Sequence, residues 1–82
     1  MRFTEADRAK LLGVKGVGPK VIERIEQMGI FTMEKLADSH PNDLLRQGAE
    51  LTGSTCWKNS PQAKAAINAA IAAALIVVHQ RG

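Results

Sequence analysis

Hydrophobic residues along this 82-residue chain recur at helical spacing, and no segment shows the sustained apolar–polar alternation of a β-strand. The clearest amphipathic segment begins at Pro19, which suits a first helical position because it has no N–H to leave unpaired. Gly29 is placed to end this helix as a C′ glycine, with Ile30 as the apolar residue after the cap. The predicted apolar face is Val21, Ile22, Ile25 and Met28, and the predicted outer face is Lys20, Glu23, Arg24 and Gln27.

Capping residues and prolines place the remaining helices. Thr4 is a suitable N-cap for a first helix, with Asp7 near the capping-box position. The sequence therefore predicts an all-α fold of about five short helices in a single domain, residues 1–82. Besides the helix at Pro19, the predicted ranges are Thr4 to about Leu12, Thr32 through Asp38, the segment after Ser39-His40-Pro41 to about Leu51, and Ser60-Pro61 to about Gln80, with a loop from Thr52 to Ser60.

The last predicted helix is long, rich in alanine and apolar nearly all round. In so small a domain both of its apolar stripes are hard to bury. We expect one stripe to face the core and the alanine stripe to admit close contact with another helix, with a homodimer as one hypothesis. The longest apolar run, Ala69 to Val78, falls short of the roughly 20 residues that span a bilayer, so no membrane association is expected. The two stripes are Ile67, Ile71, Leu75 and Val78, and Ala66, Ala70, Ala74 and Val77.

Charge and cysteine content narrow the functional classes. The formal net charge is +3, which is compatible with a polyanionic partner but too small to establish one. Residues 1–30 hold six basic and four acidic side chains, so much of the excess lies around the glycine-rich segment. Cys56 is the only cysteine, which excludes an internal disulfide and a Cys-rich zinc site. With no signal-peptide pattern at the start of the chain, a cytoplasmic location is expected.

The segment Gly16-Val17-Gly18 carries the clearest candidate chemistry. Two glycines let backbone N–H groups turn outward and let an anion approach without a Cβ in the way. Because the turn opens a helix, unpaired N–H groups and the positive end of the helix dipole point to the same place. Val17 is expected to insert into the core, with Lys15 and Lys20 as flanking counter-charges. Lys10 and Arg24 add to this predicted phosphate site, whereas Glu23 and Glu26 dilute it.

The stretch from Leu11 to Ile22 resembles the helix-hairpin-helix motif. Gly16, Val17, Gly18 and Lys20 match the motif, while Lys15 stands where many members have proline. Such hairpins bind the DNA backbone without sequence preference, typically in repair and recombination proteins. The resemblance therefore implies contacts to phosphates and not to base edges.

The resemblance continues beyond the hairpin. The segment 29–37 is similar to the GI-x-T-x-x-x-LA continuation of tandem-hairpin domains, and 39–45 resembles a degenerate second hairpin without glycines. The chain is also similar to small stand-alone bacterial proteins of the pathogenicity-locus and mitomycin-resistance type. This last similarity covers about the first two thirds of the chain and implies a fold more than an activity. The hairpin resemblance implies a non-enzymatic DNA-binding module, and because no exposed aromatic stripe suggests base stacking, we expect double-stranded DNA as its target. The alternative is a protein-interaction or dimerisation module that uses the C-terminal helix, with the hairpin only structural.

Enzymatic functions fit the sequence less well than DNA binding does. Lys20 and Asp38 resemble the catalytic pair of helix-hairpin-helix DNA glycosylases, but 82 residues leave no second subdomain to form a base pocket. A nucleotide-binding P-loop fails because Pro19 occupies the lysine position. Cys56 and Trp57 are interpreted as core residues. No catalytic residue, cofactor or metal site is expected.

Overall fold

The computed structural model describes residues 2–53 and 59–81, without the side chain of residue 52. Its described residues contain α-helices and no strand, which confirms the all-α prediction. The predicted loop of Thr52 to Ser60 lies largely outside the described residues, as do Cys56 and Trp57. Where the structure describes this segment the prediction is partly wrong, because Thr52 is the last residue of a helix and Asn59 is helical. The helices are α1 (Glu5–Leu12), α2 (Pro19–Gln27), α3 (Met33–Ala37), α4 (Pro41–Thr52) and α5 (Pro61–Arg81).

The predicted capping residues lie at the ends of the observed helices. At three N-termini a hydroxyl oxygen accepts a hydrogen bond from the backbone N–H three residues later, which satisfies one of the unpaired donors of the first turn. Gly29, at φ +84°, ends α2, and the N–H of Ile30 donates to the carbonyl of Ile25 at 3.3 Å in a Schellman arrangement. The three caps are Thr4 with Asp7 at 3.2 Å, Thr32 with Lys35 at 3.1 Å, and Ser60 with Ala63 at 3.3 Å.

The core forms around α5, which packs most extensively against α3, then against α4, and also against α2. Burial of large apolar side chains provides the main driving force for this arrangement. The α2 face is as predicted, with Ile22 and Ile25 fully buried and Val21 and Met28 packed at its edge. The largest fully buried side chains are Leu11, Ile22, Ile25, Met33, Leu36, Leu44 and Ile67.

The alanine stripe of α5 lies inside the domain, contrary to our expectation. Ala70 and Ala74 are fully buried, whereas Leu75 is 53% exposed. The expectation that Leu75 faces the core is therefore wrong. Small side chains let the neighbouring helices approach closely, which favours burial of the alanine face. Ile67 and Ile71, at the edge of that face, are buried with it.

Length and composition alone would allow α5 to cross a membrane. It has 21 residues, with a mean hydropathy of 1.5 over its most apolar 18-residue window. A core helix passes the same test, and α5 contributes Ile67, Ala70 and Ala74 to the interior of the domain. The absence of membrane association stays a prediction.

Candidate nucleic-acid interface

The turn between α1 and α2 has a backbone conformation that requires glycine at one position. The N–H of Val14 donates to the carbonyl of Leu11 at 3.0 Å, which ends α1 in a tight turn. The N–H of Val17 then donates to the carbonyl of Val14 at 3.1 Å and closes a β-turn. Gly16 stands at the third position of this turn with φ +90°, as a type II turn requires. Lys15 stands at the second position and is exposed.

Val17 and Gly18 lead from this turn into α2. Val17 is only 5% exposed and inserts into the core, as expected. Gly18 is the N-cap of α2, with extended backbone at φ −110° and ψ 176°, and it offers no side chain to cap the helix. Pro19 follows at the first helical position, as predicted.

The first turn of α2 presents unpaired hydrogen-bond donors. The first helical bond runs from the N–H of Ile22 to the carbonyl of Gly18 at 3.2 Å. Among residues 2–53 and 59–81, the backbone N–H groups of Lys20 and Val21 have no acceptor. These two donors and the helix dipole together favour an anion in front of α2.

Gly18 leaves this end of α2 open. A Cβ added at Gly18 would meet no atom within 4 Å, and any residue can adopt its backbone conformation. Neither packing nor backbone geometry therefore requires glycine at this position. A side chain at Gly18 would instead restrict the access of a ligand to the backbone N–H groups of Lys20 and Val21.

The predicted basic residues are distributed around the turn. Lys15 and Lys20 are exposed on either side of it. Arg24 lies one helical turn beyond Lys20, is half-buried, and its Nη1 donates to Oε1 of Gln27 at 3.1 Å. Lys10 is exposed in the last turn of α1, on the other arm of the hairpin. The turn thus gathers Lys15, Gly16, Val17, Gly18 and Lys20 in one short segment, while Lys10 and Arg24 lie farther along the two helices.

Glu26 is not a free acidic side chain next to the hairpin. One of its carboxylate oxygens accepts the backbone N–H of Phe3 at 2.8 Å, and the other lies 3.7 Å from Nη1 of Arg8. The Glu26 side chain is only 10% exposed. The acidic side chain that reduces the positive charge around the predicted phosphate site is therefore mainly Glu23, which is exposed.

Sequence reasoning missed an ion pair that joins three helices. Arg81, at the end of α5, donates through Nη2 to Oδ1 of Asp7 and through Nη1 to Oε1 of Glu34 at 3.1 Å. The hydrogen bond to Asp7, followed by the one to Glu34, raises the pKa of the Arg81 guanidinium above its ordinary value. The spacing of residues gave one signal that Asp7 is buried, because it lies four residues from Phe3 and four from Leu11, and both of these are buried.

The connection between α3 and α4 differs from the one between α1 and α2. Only Asp38, Ser39 and His40 separate α3 from α4, and Pro41 occupies the first position of α4. Asp38 is exposed at the end of α3, and no hydrogen bond or ion pair in the described part of the chain joins it to Lys20. Within that same part, no group of three or more His, Cys, Asp or Glu side chains is placed to hold a metal ion.

Comparisons of this chain with protein-family models, with curated protein sequences and with solved structures gave no significant match.

Proposed function

We propose that this domain is a non-enzymatic module that binds the phosphate backbone of double-stranded DNA without reading its sequence. The binding surface comprises the 15–18 turn, the first turn of α2 with Lys20, and the flanking side chains of Lys10 and Arg24. The helix-hairpin-helix resemblance favours a role in DNA repair or recombination in the cytoplasm.

The open N-terminus of α2 is the observation that carries this proposal. Lys20 and Val21 offer two N–H groups that have no acceptor in the part of the chain that the structure describes. Gly18 leaves the approach to them free, and Lys15 and Lys20 add positive charge beside it. A phosphate oxygen is an acceptor suited to such donors, and a cation nearby strengthens the interaction. Contacts of this kind position a protein on a duplex and carry no sequence information.

A salt titration tests the proposal. Binding of a short labelled duplex is measured by fluorescence anisotropy between about 50 and 200 mM salt. We expect the affinity of the wild type to fall steeply with salt. For Lys15→Ala/Lys20→Ala we expect a slope of log K against log salt that is shallower by about 1.8, because each lost phosphate contact removes about 0.9.

A matched control separates local contacts from net charge. Lys35→Ala/Lys64→Ala removes the same charge from exposed positions on α3 and α5, and should keep the wild-type slope within error. Equal losses in the two double variants would indicate a diffuse charge effect and contradict a hairpin site. Absence of wild-type binding at low salt, with a helical circular dichroism spectrum, would reject DNA binding altogether.

Self-association through α5 is a second candidate function. Leu75 and Ile76 are 53% and 59% exposed on the outer face of α5, where single apolar residues are ordinary but an adjacent pair favours a contact. We expect Ile76→Lys to lower the sedimentation coefficient at high protein concentration if this face pairs with a second copy. The control is Leu51→Lys on α4, where the wild-type side chain is 51% exposed. A wild type that sediments as a monomer at all concentrations would remove this candidate.

A further inference from the structure

A carboxylate interrupts the apolar face by which α1 packs on the domain. Phe3, Asp7 and Leu11 are the buried positions between residues 3 and 11, and their spacing of four places them on one side of the helix and its N-terminal extension. Asp7 is 5% exposed and is the buried charged residue of the described core.

Arg81 is the counter-charge of Asp7, and it binds from the far end of α5. Its guanidinium donates one N–H to Asp7 in α1 and another to Glu34 in α3, so a single side chain holds three helices in one arrangement. The Asp7 end of this contact is sheltered, with 8% of the side chain exposed, whereas Glu34 is 58% exposed. The bond to Asp7 is therefore the less screened of the two.

The placement of α1 also bears on the hairpin. Arg8 links α1 to α2 through Glu26, and Asp7 links it to α5 through Arg81. The turn that presents Gly16 and Gly18 starts at the carbonyl of Leu11, one helical turn beyond Asp7. A rotation of α1 about its axis would therefore displace the start of the turn and the side chain of Lys10 together.

We propose that Arg81 is a positioning residue for the phosphate-binding hairpin: through Asp7 it fixes the rotation of α1, and so the turn, relative to α2. This inference rests on the proposed DNA-binding function. The Arg81 side chain is 41% exposed while Asp7 is buried, so the pair lies at the edge of the interior. An ion pair with a buried member often adds less stability than a well-packed apolar pair of similar size, and in some proteins it serves to specify one arrangement. The forked guanidinium is suited to that task, because it fixes direction as well as distance.

The decisive variant replaces the ion pair by apolar residues without changing the net charge. We expect Asp7→Leu/Arg81→Met to keep its Tm close to that of the wild type or above it. We also expect its backbone amide resonances at Gly16, Gly18 and Lys20 to shift in the DNA-free protein. Its duplex affinity should fall, with a salt slope shallower by about 0.9, equivalent to one phosphate contact.

The control removes an exposed ion pair of the same composition. Asp43 and Arg46 lie 3.2 Å apart on α4, with side chains 54% and 65% exposed. Asp43→Ala/Arg46→Ala should leave both the hairpin resonances and the salt slope unchanged. If the apolar double variant is folded and shows wild-type hairpin resonances, or wild-type affinity and slope, the positioning role of Arg81 is refuted.

A second variant tests the inference if the Asp7→Leu/Arg81→Met protein does not fold. Arg81→Lys retains the charge but replaces the fork by a point donor, so we expect faster hydrogen exchange in α1 and displaced hairpin resonances, with α5 unaffected. Wild-type exchange in α1 would refute the inference. Because the resonances and exchange are measured without DNA, a wild type that fails to bind duplex would reject the proposed function while these readouts still decide whether Arg81 positions the hairpin.

Discussion

Gly16 and Gly18 stand on either side of Val17 in the connection between α1 and α2, yet the backbone requires glycine at only one of them. Gly16 has φ +90°, in the left-handed region, whereas Gly18 has φ −110°, in the extended region. A Cβ would meet no neighbouring atom at either position. A substitution at Gly16 therefore tests the backbone conformation of the turn, and a substitution at Gly18 tests access to the N-terminus of α2.

Gly18→Ser should raise stability and lower DNA affinity. The new hydroxyl can cap the free N–H groups of Lys20 or Val21, and the unfolded chain loses freedom, which together stabilise by about 0.5–1 kcal/mol. The same hydroxyl competes with a phosphate for those donors. Urea denaturation and duplex binding at low salt measure the two effects, which should have opposite signs.

Gly18→Ala is the control for that substitution. It adds the Cβ without the capping oxygen, so its stability should lie within about 1 kcal/mol of the wild type. Its affinity should fall by less than that of Gly18→Ser. Wild-type duplex affinity in both variants would show that no phosphate uses the donors of α2.

Gly16→Ala should destabilise the protein. A side chain in the left-handed region costs about 1–2 kcal/mol, which should appear as a lower urea midpoint with an unchanged m-value. The control is Gly13→Ala, where φ is −75° and a Cβ would make ordinary contacts at 3.5 Å or more. There we expect no loss or a small gain. Equal costs at both positions would contradict the type II turn at Gly16.

The sequence predicted the helix boundaries well because they depend on local chemistry. A Thr or Ser three residues before a free N–H, a proline at a first position and a glycine after a last turn each act within one turn of chain. Thr4, Thr32, Ser60 and Gly29 all take the predicted roles. The hairpin residues 15–18 are likewise contiguous, so their placement on one turn followed from the sequence.

The buried face of α5 did not follow from its pattern, and a pair of substitutions tests it. Ala70 is fully buried, so Ala70→Leu should force α5 away from its neighbours and cost about 1–3 kcal/mol. Ala72 is exposed on the opposite face, and Ala72→Leu should change stability by less than about 0.5 kcal/mol. Thermal unfolding of the two variants gives the comparison. A larger loss of stability for Ala72→Leu than for Ala70→Leu would contradict burial of the alanine stripe.

Glu23 and Glu26 should respond differently to substitution, although both lie on α2. Glu26→Ala removes the acceptor of the Phe3 N–H and the partner of Arg8, and we expect a loss of about 1–3 kcal/mol. Glu23→Ala should leave stability nearly unchanged and strengthen duplex binding by removing an exposed negative charge. Chemical denaturation and anisotropy together separate the two. A stability loss at Glu23 equal to that at Glu26 would contradict the described contacts of Glu26.

The polar contacts that sequence reasoning missed depend on pairs distant along the chain. Glu26 finds its donor 23 residues earlier, at Phe3, and Arg81 finds Asp7 at a separation of 74. A count of charges treats such residues as free, although tertiary contacts neutralise them. In α5 both stripes are apolar, so only the shapes of the neighbouring helices decide which of them is buried.

The ion pair between Asp7 and Arg81 also affects the order of events during synthesis. Asp7 is translated 74 residues before Arg81. Until then the carboxylate of Asp7 has no guanidinium with which to enter the interior, and burying it alone is unfavourable. The contact is also among the longest-range in the domain, a type that forms slowly. The contacts of Phe3 and Arg8 with Glu26 can hold α1 against α2 as soon as α2 exists, whereas its contact with α5 forms only after the end of α5 has been made.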